Sequence, residues 1–454
     1  MKQIAVVGSG VSGLGAAHAL AQADGVQVTL IEADTRLGGH AHTLDVTLPD
    51  AQGRPLTHGV DTGFLVCNER TYPRLLALFD ELGVRKAPSD MSFSVQVPGQ
   101  LTGARAWMSG LQWCGSDLDT VFAQRGNLLS PRFWGMLADL LRFNRVTTDL
   151  ALRGDDARLA QPIGEFLDEH RFGQAFREAY LMPMIACIWS CPTQQMLAFP
   201  VGTLIRFCHN HGLLQVSNRP QWYTVPGGSR TYIERLAEGL RQRGHEIRLG
   251  TPVQALSRDA DGVRLHTTVG VERFDGVVMA CHSDQALRIL GRAAHADEQA
   301  VLGAIRYHRN RAVLHTDTGL LPSLPRAWAA WNYERGLAEA DEAGAVCLHY
   351  LINRLQPLPW AQPVVVSLNP LREPRADAVL ADIDYAHPVF DQAAIDAQRR
   401  LPALQGRDRV WFAGAWTGYG FHEDGLRSGQ EAATGALQTV LRGVPHGAHE
   451  VAVA

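Results

Sequence analysis

Gln3–Val7 is a short β-rich run that ends in Gly8, Ser9, Gly10, Val11, Ser12 and Gly13. An alanine-rich helical stretch follows from Leu14 to Ala23, and Gln27–Ile31 reads as a second buried strand ending at Glu32. Strand, GxGxxG turn, helix, strand and acid within about 30 residues is the dinucleotide fingerprint, and it dictates a parallel βαβ beginning. Gly8 permits the tight turn, Gly10 lets a pyrophosphate approach the backbone, and Gly13, with Ala17 one turn on, allows the helix to pack close to the strand. The helix N-terminus at Val11 and Ser12 offers unpaired N–H groups and partial positive charge to phosphate. Glu32, followed by Ala33, is placed to accept both ribose hydroxyls, which disfavours a 2′-phosphate. The unit alone does not distinguish NAD from FAD.

The chain has 454 residues, 46% hydrophobic and 19% charged, with a net charge of -4. That length exceeds one ordinary core and fits two or three domains. The apolar fraction excludes a largely disordered chain. Near-neutral charge argues against nucleic acid as a partner. The 7 cysteines are scattered and never form CxxC; Cys187 and Cys191 lack a metal-ligand signature, so reduced, mostly buried thiols in a cytoplasmic protein are expected. Met1, Lys2 and the apolar residues to Leu20 mimic an export signal, but the glycines there belong to the nucleotide turn. No apolar run reaches the length of about 18 residues that a membrane span needs.

Arg36, Leu37, Gly38 and Gly39 follow Glu32 closely. An arginine able to reach the pyrophosphate, then two glycines admitting a flavin chain, suits a cofactor that runs onward into the protein, with a surface turn carrying a chance arginine as the alternative. This Glu-x3-Arg-x-Gly-Gly arrangement resembles the glutathione-reductase-like FAD proteins, specifically the amine oxidase and phytoene desaturase group. Further segments match in order. Val60, Asp61, Thr62, Gly63 and Phe64 place a glycine where backbone passes close to a planar ring. Val225–Ser229 leads into an amphipathic helix, Tyr232–Gln242, and then a strand, His245–Leu249. Thr251, Pro252 and Val253 resemble the adenine-contacting segment, and Phe274–Ala280 is a buried strand returning near the nucleotide. Val410–Trp416 is a strand into a turn, followed by Gly418–Gly429 and a small-residue helix, Gln430–Leu441. In the family this junction, here Gly414, Ala415, Asp424, Gly425 and Leu426, holds the ribityl and pyrophosphate groups. It also aims a helix N-terminus at the flavin N1/C2=O edge, where a dipole favours negative charge. A purely structural last helix leaves the spacing of Gly414, Gly425 and Gly429 unexplained.

The resemblance covers essentially the whole chain. Val60–Phe64, Ser89–Ser94, Phe207–Leu213, Ala280–Gln285 and Gly420–Gly425 are similar to one bacterial branch of the flavin amine oxidase-like superfamily, described as predicted NAD/FAD-binding proteins. Some members are associated with cyclopropane-fatty-acid-synthase-like enzymes, and one resembles the flavin desaturase of furan fatty acid synthesis. The implied fold is α/β: a glutathione-reductase-like FAD-binding Rossmann domain from segments 1–84, 222–300 and 399–454, plus a mixed α+β substrate domain from 85–221 and 301–398.

Of the 42 basic residues only Lys2 and Lys86 are lysines. Amine oxidases of this superfamily commonly use a substrate-domain lysine that holds a water at flavin N5, and arginine cannot replace it. Dehydrogenation of a C–C bond in a long chain asks less: flavin N5 takes a hydride and a base takes a proton from the adjacent carbon. Tyr419, His422, Glu423 and Asp424, just before the last helix, are the candidate acceptors. His422 is preferred for a pKa near working pH, with a simple hydrogen-bonding role as its alternative. His40 and His42 follow the Arg-x-Gly-Gly turn and could line the ring; either offers a covalent anchor, with noncovalent FAD expected. His209 and His211 are badly spaced for a helical metal pair, and no metal is expected.

Two apolar stretches bear on the substrate. Pro131–Leu152 sets Phe133, Trp134, Leu137, Leu140 and Leu141 at helical spacing among Arg132, Arg142 and Arg145, as an amphipathic core helix or one lying on a phospholipid surface. Tyr180–Leu214 is almost uncharged apart from Arg206 and suits either core or an apolar tunnel. The expectation is an FAD-dependent oxidoreductase that desaturates a fatty acyl or lipid-like chain in the cytoplasm, with peripheral contact at the inner membrane face as a second reading. Flavin amine oxidase, a flavin-dependent non-redox isomerase and a non-catalytic FAD scaffold are the alternatives. No second GxGxxG unit appears, which argues against direct use of NAD(P)H, and the electron acceptor is left open.

Overall fold

The computed structural model describes residues 1–97, 99, 101–153, 159–189, 196–210, 220–259, 262–336 and 346–442. Cys191 and His211–Leu214, singled out above, lie outside these. The opening unit folds as strand Lys2–Val7, helix Val11–Ala21 and strand Val26–Ile31. These strands join a 5-stranded sheet in the order Glu246–Arg248, Val26–Ile31, Lys2–Val7, Gly276–Met279, Val410–Phe412, and every pairing is parallel. Parallel strands are covered on both faces, and Ile4–Val7 and Val277–Met279 are accordingly unbroken apolar runs, all buried. Val7 lies opposite Ile31 and Met279, and Met279 opposite Phe412. The turns after these strands therefore open on one edge, where ligands bind in such sheets.

The last helix, His422–Arg442, runs against the first. A Cβ at Gly429 would overlap the Ser12 carbonyl oxygen, and one at Gly425 would sit 2.7 Å from Val11 Cγ1. Close helix packing thus accounts for Gly425 and Gly429. Gly414 is needed because a Cβ there would overlap the Trp416 indole. The glycine spacing read above as beyond a structural helix is explained by packing at all three positions.

A 7-stranded mixed sheet forms the second layer, in the order Val379–Pro388, Tyr307–His315, Val365–Leu368, Cys347–Leu351, Trp331–Glu334, Phe93–Gln96, Gln112–Cys114. Its registers put Trp331, Tyr350, Tyr385 and His387 on one face and Glu334, His349, Ser367 and His315 on the other. Helices Pro131–Arg153, Met182–Trp189 and Val201–Asn210 supply a core that includes Phe133, Phe143, Ile185 and Phe207. Among the described residues no helix is long and apolar enough to cross a membrane.

Candidate flavin-binding and active site

At the open edge of the parallel sheet, Gly8 (φ +101°) makes the turn that L side chains resist. Its N–H donates to Ile31 O at 2.8 Å. The Arg-x-Gly-Gly turn closes over this loop: Gly38 N–H donates to Ser9 O at 3.0 Å, and Gly38 bridges Gly10. Glu32 stands at the end of its strand and accepts from Ser9 N (2.7 Å), Ser9 Oγ (2.6 Å) and Asp34 N (2.8 Å). Thr251 N–H donates to Glu32 O, which brings Val253 to the same end. Arg36 pairs with Asp34 at 3.4 Å, and Ala33 is exposed beside it. Ala280 N–H donates to Val7 O.

Two observations test whether a dinucleotide fits here. A Cβ on Gly10 would meet no atom within 4 Å, and the first helix has no side-chain cap on its N-terminal amides. The space and the unpaired donors are those a pyrophosphate takes. A third lies further in: His40 Nε2 is buried with no hydrogen-bond partner, a donor or acceptor held ready for a group that fits between the layers.

Around His40 the second sheet meets the first. Its ring lies 5.0 Å from Tyr385 (stacked), 5.2 Å from His387 and 5.8 Å from His282, centroid to centroid. Phe64 N–H donates to His40 O, and Thr62 N–H to His42 O. A Cβ on Gly63 would overlap His40 O, so the neighbouring backbone requires a glycine here. Tyr385 Oη ties Thr62 Oγ1 (2.8 Å) to His42 Nδ1 (3.1 Å). His422 stacks on Phe64 at 3.7 Å, its Nε2 bonded to Tyr232 Oη at 3.0 Å. Phe421 stacks on Phe207 at 4.9 Å.

Burial decides the charge of these groups. It lowers His422 to about 3. Burial, reinforced by His282 and other histidines, brings His387 to about 4, and burial with Arg36 does the same for His42. His40 is pushed well down by burial and then by His387 and His282. The imidazoles are therefore neutral, and the expected His422 pKa near working pH is corrected: desolvation removes it from that range.

The carboxylates are committed elsewhere. Glu423, a candidate proton acceptor, takes Arg74 N–H (2.9 Å) and Leu75 N–H (3.0 Å) and so caps helix Pro73–Glu81. Asp424 Oδ2 accepts from Tyr419 N and Phe421 N, which holds the Gly418–Phe421 turn. Asp61 is fully buried and accepts from Ser229 N, Ser229 Oγ, Thr43 Oγ1 and Gln356 Nε2; burial raises it to about 6. Tyr419 is half-buried at the turn. Lys86 pairs with Asp80 at 3.4 Å, and Lys2 with Asp275 at 3.6 Å.

Sequence reasoning did not single out Tyr385, His387, Tyr232 or His282 as site residues. His282 and Asp61 lay inside quoted motifs without a role. Tyr385 and His387 carry no local signal, since only strand register brings them to His40. On the far face of the second sheet Glu334, Cys347 and His349 offer ligand atoms within 4.8 Å of one another. Hydrogen bonds already engage them: His349 Nε2 to Glu334 (2.9 Å), His349 Nδ1 to Ser367 Oγ (2.7 Å), and Arg372 to Glu334 (3.3 Å).

Sheet order, glycine turn and cradle define an FAD-binding α/β oxidoreductase. The model of the flavin containing amine oxidoreductase family matches residues 11–313, and the chain belongs to that family. Among solved structures it is similar to cyclohexylamine oxidase from Brevibacterium oxydans IH-35A, with 16% identity and a TM-score of 0.68 over 97% of this chain and 100% of that one. It is similar to a CLA-producing fatty acid isomerase from P. acnes, with 16% identity and a TM-score of 0.65 over 95% and 98%. Putrescine oxidase bound to putrescine is similar at 15% identity and a TM-score of 0.64 over 95% and 98%. At these identities the likeness is one of fold. No curated protein matches the sequence significantly.

Proposed function

We propose that this FAD-dependent oxidoreductase dehydrogenates a C–C bond in a fatty acyl or similarly lipid-like chain. The observation that carries the reading is that, among the described residues, the histidines of the site are neutral and its carboxylates are engaged by other donors. His40, His42, His387 and His422 are held neutral by burial, while Glu423, Asp424 and Asp61 are spent on backbone and side-chain donors. A hydrocarbon chain suits such surroundings, whereas an ammonium group would meet, among the described residues, only carboxylates already engaged by other donors.

In this reading Gly8, Gly10, Val11, Ser12 and Gly13, closed by Arg36, Gly38 and Gly39, hold the pyrophosphate, and His40 lines the ring. Glu32 and Ala33 take the ribose, and Val253 and Ala280 the adenine side. Thr62, Gly63 and Phe64, with Gly414, Ala415, Asp424, Gly425 and Leu426, cradle the ribityl chain and ring. Bound FAD supplies the two-electron acceptor. Phe64 and Tyr232 fix the His422 ring; with so low a pKa it is an orienting hydrogen-bond partner, and Tyr419 is the remaining candidate to relay a proton. The division into segments 1–84, 222–300 and 399–454 against 85–221 and 301–398 belongs to the same proposal.

Mass spectrometry of acyl lipids incubated with the holoenzyme tests it. The reading expects a product short of two hydrogens. A product of unchanged mass with a moved double bond would make the enzyme an isomerase and overturn it.

A further inference from the structure

Helix Pro131–Arg153 buries Phe133, Met136, Phe143, Thr147 and Leu150. Its opposite side is mixed rather than uniformly polar. Trp134, Ala138, Leu141 and Leu152 recur there at helical spacing with Arg145 and Asp149, and all are exposed. Leu128 and Leu129, in the turn before the helix, and Leu118 continue the strip, with Leu129 89%, Leu118 79% and Leu152 74% exposed. The pieces are joined: Trp134 Nε1 donates to Leu128 O at 3.0 Å, and Trp134 packs on Phe122, one short helix from Leu118. Large apolar side chains gathered this way mark an interaction surface.

The charges around the strip indicate its partner. Arg125 and Arg142 are paired with Asp119 and Asp139. Arg132, Arg145 and Arg153 are exposed and form no ion pair among the described residues, against Asp149 as an exposed acid on the same helix. An apolar strip with indole and unpaired guanidinium groups is the composition of a helix that lies in the plane of an anionic lipid interface. Behind it, helix Val201–Asn210 packs on the inner face, and its Phe207 stacks on Phe421, next to His422. One layer of helix separates the strip from the flavin-side aromatics.

We infer that the surface formed by Leu118, Leu128, Leu129, Trp134, Leu141 and Leu152 seats the protein on an anionic phospholipid bilayer. The choice of a bilayer over a protein partner rests on the acyl reading above. The seating places the helical layer of the second domain against the membrane and leaves the parallel sheet away from it.

Flotation of the holoenzyme with vesicles tests this. Full-length protein is mixed with phosphatidylglycerol-containing or pure phosphatidylcholine vesicles. Binding is expected on the anionic vesicles and more weakly on the neutral ones. The variant L129S/W134S/L141S changes only exposed positions and is checked for retained flavin absorbance. It is expected to bind at least about tenfold more weakly to both. R132S/R145S/R153S is expected to lose only the anionic preference. Absence of flotation, or flotation unchanged in the first variant, overturns the inference. A wild-type dimer that the same variant makes monomeric, without vesicle binding, overturns it in favour of a second copy. Flotation needs no turnover, so vesicle binding without acyl oxidation refutes the functional reading and leaves the surface intact, and the reverse result separates them equally.

Discussion

His422 is clamped between the Phe64 ring and the Tyr232 hydroxyl, with burial lowering it to about 3. A group that titrates there stays neutral across working pH, as do His387 and His42 near 4. We therefore expect kcat/KM to show no histidine limb between about pH 5 and 8, since that profile reports ionisations of the free enzyme. A limb centred near an ordinary histidine value would contradict the burial argument. Glu423 gives a second residue-scale test. As a cap on helix Pro73–Glu81 it contributes about 1 kcal/mol. Glu423→Gln is expected to lower thermal stability modestly and leave kcat within a few-fold; a loss of about a hundredfold or more would restore it as the proton acceptor. Position in the sequence brought His422, Glu423 and Asp424 to notice, yet their roles depended on desolvation and on amides such as Arg74 N and Leu75 N that are distant in the chain. Neither quantity is written in local sequence.

At the scale of elements, the first and last helices touch through small residues, Gly425 and Gly429 against Val11 and Ser12. Gly429→Ala places a methyl against the Ser12 carbonyl. We expect it to push the helices apart, destabilise the fold by about 1–3 kcal/mol and lower the flavin-to-protein absorbance ratio of purified enzyme. An unchanged ratio and melting point would count against the packing account. The second sheet carries a buried histidine of opposite behaviour. Burial pulls His349 down, but Cys347 and Glu334 outweigh it and bring the imidazole to about 9. A histidine raised on folding contributes stability that is fully present below its unfolded value of about 6.5 and is lost as pH rises through 9. From neutral to alkaline pH the denaturant midpoint of the wild type should fall by the equivalent of about 3 kcal/mol, and His349→Gln should lack that component. Equal pH dependence in both would refute it. The parallel βαβ unit was legible because its turn needs glycines at fixed spacing. The seven-stranded sheet was legible only as mixed structure, because Phe93–Gln96 and Trp331–Glu334 are paired across long chain separation.

For the whole molecule, two sheets meet around His40, Tyr385 and His387. The Rossmann-type sheet supplies glycine turns and a helix N-terminus for the dinucleotide, and the mixed sheet supplies Tyr385, His387 and the aromatic wall. With 40 arginines against two lysines, the chain has little with which to build the lysine–water site of amine oxidases, and the structure pairs both lysines with aspartates. The most direct measurement is anaerobic titration of the holoenzyme, following the flavin absorbance, with acyl lipids in one series and primary and secondary amines in the other. The account predicts bleaching by acyl chains and none by amines. Bleaching by amines with acyl lipids inert would contradict it.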